Sequence, residues 1–171
     1  MHFCPSALTV VPFDPAALPA HAELCLSRGP AELAPGVLFL GEIPRTNLLE
    51  APPVGETLRG GTWEPDRLLD DTALALATKS GLFLLTGCSH AGICNMLQYA
   101  LSLTGETRVA GVLGGLHLFE PGPQLDFVLA RLAQLGAKTL YPCHCTSLAV
   151  KHALCGAFDV HEVGVGLTLA L

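Results

Sequence analysis

The sequence has few charged residues and no run of basic ones. Only 14% of its 171 residues are charged, and nine Lys and Arg stand against fifteen Asp and Glu, which gives a formal net charge of -6. A basic patch or stripe is the usual sequence feature of a nucleic-acid-binding protein. Its absence here argues against DNA or RNA as a partner.

Long apolar stretches are also absent, although half of the residues are apolar. None approaches the run of roughly 18 apolar residues that a membrane-spanning helix needs. The first fifteen residues have neither the basic region nor the clean apolar stretch of a signal peptide. We therefore expect no membrane partner, and an apolar excess that lies in a core or at an interface.

The chain has seven cysteines, which is an odd number, and no export signal was recognised in its sequence. A disulfide framework is typical of small secreted domains with even numbers of cysteines. Reduced thiols and a cytoplasmic location are the expectation here.

Length and pattern predict a single α/β domain over residues 1–171. The segment 46–71 is rich in Pro, Gly and charge and has weak periodicity, so it is expected to form a loop or lid. From residue 72 apolar runs of strand type alternate with helical patterns, which is typical of α/β layers. The predicted strands are 7–13, 22–27, 36–43, 72–78, 82–87, 108–115, 138–144 and one or two within 161–171, and the helices are 91–104, 123–136 and 146–158.

Reactive side chains follow three successive strands of this pattern. A lone His at a strand end is more often a capping residue, and a free Cys is more often a small buried hydrophobe. Strand exits of one sheet nevertheless meet at one edge, and imidazole and thiolate are the ligands that zinc favours. Cys88 and His90 follow the first strand, His117 follows the second, and Cys143, His144 and Cys145 follow the third. We therefore predict that the three histidines converge on one site at this edge, with His90 and His144 as its main candidates and Cys88 as a weaker one.

A second interpretation centres on Ser89. The string from Gly87 to Ala91 approximates the G-x-S-x-G nucleophile elbow, between a strand and a helix. Ser89 would then attack, with His117 or His144 as base. Ala91, however, replaces the last Gly, and the candidate acids Asp159 and Glu162 come after the histidines, which reverses the usual order of acid and then histidine. Alternatively, Ser89 caps the following helix.

Several strings resemble one branch of the metallo-β-lactamase superfamily. They are "LAPGVLFLGEIPR", "DDTALAL", "GLFLLTGCSHAGICNML", "VLGGLHL" and "YPCHCT". The branch is that of the methanopterin-pathway or dihydropteroate-synthase-like hydrolases. The resemblance implies an αββα sandwich that binds one or two metal ions, usually zinc, and hydrolyses an ester, amide or phosphoester.

The same resemblance suggests roles for individual residues. His90 and His144 match metal ligands, and Cys88 stands near the place where related enzymes keep a bridging carboxylate. His117 matches a catalytic residue that contacts substrate or metal. The helix that begins near Ala91 would point its positive N-terminus into the site, which suits a phosphate or carboxylate.

The superfamily's H-x-H-x-D-H motif does not occur in these 171 residues. The expectation is therefore a truncated or incomplete version of the fold, inactive alone and holding fewer zinc ions than an intact site. A homo-oligomer or a complementing N-terminal chain would then cover the apolar sheet and complete the site. Besides the metal-dependent hydrolase and the serine hydrolase, a third alternative is a non-catalytic subunit that completes its site with another chain.

Overall fold

The computed structural model describes residues 2–3 and 24–171, so the predicted strand 7–13 lies outside the described residues. The strands are β1 His2–Phe3, β2 Cys25–Leu26, β3 Ala31–Ala34, β4 Val37–Phe39, β5 Glu56–Arg59, β6 Thr62–Pro65, β7 Ala73–Thr78, β8 Gly81–Thr86, β9 Val109–Gly114, β10 Thr139–Pro142 and β11 Asp159–Val160, and the helices are α1 Ile93–Thr104, α2 Pro123–Gln134 and α3 Leu148–Leu154. A seven-stranded mixed sheet of order β11-β10-β9-β8-β7-β4-β3 dominates the fold. The predicted α/β class is confirmed.

The predicted hairpin of the two apolar runs 72–78 and 82–87 is formed by β7 and β8. Its strands pair from Ala73↔Thr86 to Thr78↔Gly81. The Thr78 hydroxyl donates to the Gly81 carbonyl at 2.7 Å and closes the turn. Gly81 has φ 122°, a conformation that a side chain would strain. The hairpin delivers β8 to the centre of the sheet.

The strands β8, β9, β10 and β11 run parallel, and the three helices connect them in order. When successive parallel strands are added in one direction across a sheet and are joined by right-handed crossovers, the connecting helices all lie on one face of the sheet. The carboxyl ends of neighbouring parallel strands also lie at one edge. The predicted convergence of the three strand exits is therefore confirmed.

The two faces of the sheet differ in cover. Every second side chain along the central strands packs against the helices in the main core. Their neighbours Leu74, Leu85 and Leu113 point to the opposite face and are half-buried. That face is the less covered of the two among the residues that the structure describes. The strand residues in the core include Ala73, Ala75, Leu82, Leu84, Val112 and Leu140.

The prediction for the C-terminal segment is wrong. The last strand, β11, ends at Val160, and residues 161–171 contain no strand. Backbone pairing stops where the His161 N–H donates to the Leu140 carbonyl at 2.9 Å. The apolar alternation of 161–171 finds no neighbouring strand, so pattern alone does not make it one.

The segment 46–71 contains the hairpin of β5 and β6 and is otherwise irregular. The Arg45 guanidinium ties its C-terminal part down by donating to the carbonyls of Arg67 and Leu68 at 2.7 and 2.8 Å. The side chain of Asn95 holds its N-terminal part through the backbone of Asn47. Movement of the segment as a lid stays a prediction. In the described part of the chain, no helix has the length and apolarity to cross a bilayer.

Candidate metal centre

Backbone hydrogen bonds join the three strand-exit loops into one unit. The Gly115 N–H donates to the Gly87 carbonyl at 2.7 Å, and the Cys143 N–H donates to the Gly114 carbonyl at 3.0 Å. The Leu118 N–H donates to the Cys145 carbonyl at 3.1 Å. Each loop is thus fixed by the next, and the side chains they carry are held close together.

Two thiols flank the exposed His144 imidazole. The Cys88 Sγ lies 3.1 Å from Nε2, and the Cys143 Sγ lies 3.3 Å from Nδ1. The donor atoms of Cys88, His144 and Cys145 all lie within 4.8 Å of one another. We call these three residues the Cys88–His144–Cys145 group. Its mixture of sulfur and imidazole nitrogen is a zinc-type donor set.

Cys145 is absent from the set of metal residues that the resemblance suggested. The His117 N–H donates to its Sγ at 3.3 Å, and the Sγ lies 3.5 Å from the Cys88 carbonyl oxygen. Burial raises the pKa of the Cys145 thiol to about 11. In the sequence, the only indication that Cys145 belongs to this group is its place beside His144 in "YPCHCT".

His90 and His117 form a second cluster beside this group. Their ring centroids are 4.3 Å apart, and the Phe119 ring meets His117 edge-on at 5.0 Å. The buried Nδ1 of His90 has no hydrogen-bond partner among the described residues. Burial lowers the pKa of both histidines, and the neighbouring His90 lowers that of His117 further. Both rings therefore favour the neutral state, which can bind a metal or take a proton.

The backbone at this edge is strained at two site positions. Ser89 has φ 59° and His117 has φ 49°, a region that residues with a side chain rarely adopt. The Asp71 carboxylate helps to hold the first loop by accepting the Ala91 N–H at 2.7 Å. Burial raises the pKa of Asp71 to about 6. Strain of this kind often accompanies a functional site.

Ser89 links two loops instead of capping α1. Its hydroxyl donates to the Gly115 carbonyl at 2.7 Å, and the residue is 1% exposed. The N-cap of α1 is Gly92, without a side-chain cap. The predicted capping role is therefore wrong. A hydroxyl that is buried and bonded to a carbonyl also does not favour attack on a substrate.

The N-terminus of α1 is occupied by a carboxylate of the chain itself. Glu50 is 5% exposed and accepts the N–H groups of Cys94 and Asn95 at 3.0 and 2.9 Å. Burial raises the pKa of Glu50. A Cβ at Gly92 would strike the Glu50 side chain, so glycine is required there. The expectation that this helix end binds a phosphate or carboxylate of a substrate is wrong, because the Glu50 carboxylate already accepts the N–H groups there.

All four residues predicted from the sequence lie at this one edge of the sheet. The structure brings Cys88 and His144 together with Cys145, and it brings His90 together with His117. Their roles as metal ligands and catalytic residue stay predictions.

Comparisons with known proteins agree with the superfamily branch and the fold that the sequence suggested. No family model matches the chain. It is 33% identical over 132 residues to the 7,8-dihydropterin-6-methyl-4-(β-D-ribofuranosyl)-aminobenzene-5′-phosphate synthase of Methanocaldococcus jannaschii, covering 74% of this chain and 45% of that protein. An uncharacterised protein of the same organism is 30% identical over 128 residues, which cover 73% of this chain and 46% of that protein.

A solved structure supports the fold. The crystal structure of Tm1679, described as a metal-dependent hydrolase of the β-lactamase superfamily, superposes with a TM-score of 0.75 at 29% identity. The match covers 87% of this chain and 58% of that one. The chain thus spans about half the length of the curated relatives it matches.

Proposed function

The chain belongs to the metallo-β-lactamase superfamily, and on that premise we propose that it is a metal-dependent hydrolase acting on an ester or phosphoester. The observation that carries the proposal is the joining of three strand-exit loops, which gathers histidines and cysteines at one edge of the sheet. The name of the synthase from Methanocaldococcus jannaschii describes a product with a 5′-phosphate. That name favours a phosphorylated small molecule as substrate.

The residues present fit a bound metal ion. His144, Cys88 and His90 are the proposed ligands, and the buried Nδ1 of His90 has no partner within the described residues. Thiol and imidazole donors favour zinc over magnesium or calcium. A bound zinc ion supplies Lewis-acid polarisation of the substrate and activation of water. His144 is exposed, so the site is open to solvent and to a substrate.

His117 is the proposed catalytic residue. Burial and the adjacent His90 keep the pKa of its ring below the usual value, so a ring nitrogen is free to take a proton. Its ring lies between His90 and the exposed Phe119, whose ring could cover the apolar part of a substrate. His117 would thus orient the substrate and move a proton at the reacting group.

Further ligands and cover would come from a second polypeptide, either another copy of this chain or a complementing N-terminal chain. The half-buried face of the sheet that carries Leu74, Leu85 and Leu113 supports this, because apolar area left wet costs about 25 cal/mol for each Å². We expect light scattering after size-exclusion chromatography to give a mass above 17.9 kDa. A monomer across the accessible concentration range would contradict this part of the proposal.

The proposed location is the cytoplasm. Every cysteine in the described part of the chain is free, among them the three thiols around His144. A reducing compartment would keep these thiols available to a metal.

The test of the proposed reaction is hydrolysis that depends on metal. We expect the zinc-loaded chain to hydrolyse members of a panel of phosphate monoesters, phosphodiesters and carboxylic esters. A chelator should abolish the activity, and added zinc should restore it. A fluorophosphonate should neither inhibit nor label the chain.

Other outcomes would favour the alternatives. Labelling that disappears in Ser89→Ala would support a serine hydrolase. A chain that binds zinc tightly but hydrolyses nothing on the panel, alone or mixed with a complementing chain, would support a non-catalytic partner subunit.

A further inference from the structure

Cys145 is a preorganised sulfur at the centre of the joined loops. Its Sγ accepts the His117 N–H at 3.3 Å and contacts the Cys88 carbonyl oxygen at 3.5 Å. Backbone N–H groups that donate to sulfur are common around metal-bound thiolates and stabilise their negative charge. The position of the sulfur is therefore set by two other exit loops and not by its own loop alone.

The chain leaves space at this point for the sulfur and the imidazole. A Cβ on Gly115 would strike the Cys145 Sγ and would lie 2.8 Å from His144 Nε2. Glycine at this position thus allows both donor atoms to approach the backbone of the second exit loop. A side chain there would push them apart.

The orientation of the His144 ring is fixed from its other side. The Cys143 Sγ lies 3.3 Å from Nδ1, while Nε2 faces the Cys88 Sγ at 3.1 Å. A ligating histidine usually engages a neighbour through its second ring nitrogen, which fixes tautomer and orientation. Cys143 supplies that neighbour and leaves Nε2 as the nitrogen that faces the two sulfurs.

We propose that Cys145 is a further ligand of the metal ion, so that the Cys88–His144–Cys145 group binds one thiophilic divalent ion through two sulfurs and one imidazole nitrogen. The donor atoms of the three residues lie within 4.8 Å of one another. Soft sulfur donors select zinc, cadmium or cobalt over magnesium and calcium. The inference rests on the metal of the proposed function but not on its substrate.

Titration of the full, reduced, metal-free chain with Co²⁺ tests the assignment without any substrate. We expect one ion per set of these three residues and a near-ultraviolet sulfur-to-cobalt charge-transfer band, which zinc displaces and magnesium does not. Cys145→Ser and Cys88→Ser should each remove about half of the band and weaken binding by at least about tenfold. Cys145→Ala should behave like Cys145→Ser.

A control variant defines the site. Cys155→Ser replaces an exposed thiol beyond the end of α3 and should leave the titration unchanged. A band that survives intact in a folded Cys145→Ser variant would overturn the inference. A full band in a chain without hydrolytic activity would reject the proposed hydrolase only.

Discussion

Replacing His144 with alanine is expected to lower the affinity of the chain for zinc by more than about a hundredfold, since loss of groups outside the coordination sphere already costs about 10–100-fold. The imidazole lies between two thiols, with Nε2 3.1 Å from the Cys88 Sγ. Without the ring, the third exit loop no longer offers an imidazole nitrogen to a metal ion beside the sulfurs. Competition with a chromophoric chelator measures the affinity.

His152→Ala is the matched control for this variant. His152 is an exposed histidine on α3, whose N-terminus follows the same exit loop. Its replacement should leave zinc affinity within about twofold of the wild type, because surface substitutions of this kind are nearly neutral. Equal affinities for the wild type and His144→Ala would remove His144 from the metal centre.

Replacing Glu50 with alanine is expected to lower the free energy of unfolding by about 3 kcal/mol, because buried donors left without an acceptor cost about 1–3 kcal/mol each. The two donors are the N–H groups of Cys94 and Asn95, both of them buried. Denaturation by guanidinium, followed by circular dichroism, measures the change. Glu64→Ala removes the carboxylate of an exposed ion pair and should change stability by less than about 1 kcal/mol.

The contribution of Glu50 also depends on pH. Burial raises the pKa of the Glu50 carboxyl group above the ordinary value of 4.5, so the folded chain binds the carboxyl proton more tightly than the unfolded chain does. Its contribution is complete below the unfolded pKa and is lost as the pH rises through the folded pKa. The stability gap between wild type and Glu50→Ala should therefore be wider at pH 5 than at pH 8. A gap that widens with rising pH would contradict the assigned direction.

The fold from residue 72 onward could be predicted because its signals are local. The alternation of β7 and β8 and the helical periodicity of α1 and α2 each depend on residues close in sequence. Adjacent parallel strands then place their exits at one edge, so the meeting of His90, His117 and His144 followed from the order of elements. The predicted end of α1 and the predicted start of α2 are correct, whereas the other helix boundaries lie inside the predicted ones.

The features that sequence reasoning missed depend on contacts between distant residues. Glu50 accepts the N–H groups of Cys94 and Asn95, which lie 44 and 45 residues further along the chain, and no periodicity reports such a pairing. Residues 161–171 alternate like a strand but find no neighbour to pair with. Pattern shows which surface a segment could bury, but it does not show whether a neighbouring strand exists.

Cys145 was missed for a geometric reason. Along a regular strand Cys143 and Cys145 would share one face and His144 the other. The chain turns instead after Pro142, where the Thr146 N–H donates to the Cys143 carbonyl at 3.0 Å. This turn brings the Cys145 Sγ and the His144 Nε2 to the same side, toward Cys88. Turn geometry of this kind is not encoded in residue spacing.

X-ray absorption at the zinc edge of the zinc-loaded chain tests the central claim most directly. The claim is that the joined exit loops form a metal centre with the Cys88–His144–Cys145 group as its donors. The prediction is a first shell with two sulfurs at about 2.3 Å and at least one imidazole nitrogen at about 2.0–2.1 Å, and with one sulfur fewer in Cys145→Ser. A first shell of nitrogen and oxygen alone would contradict it.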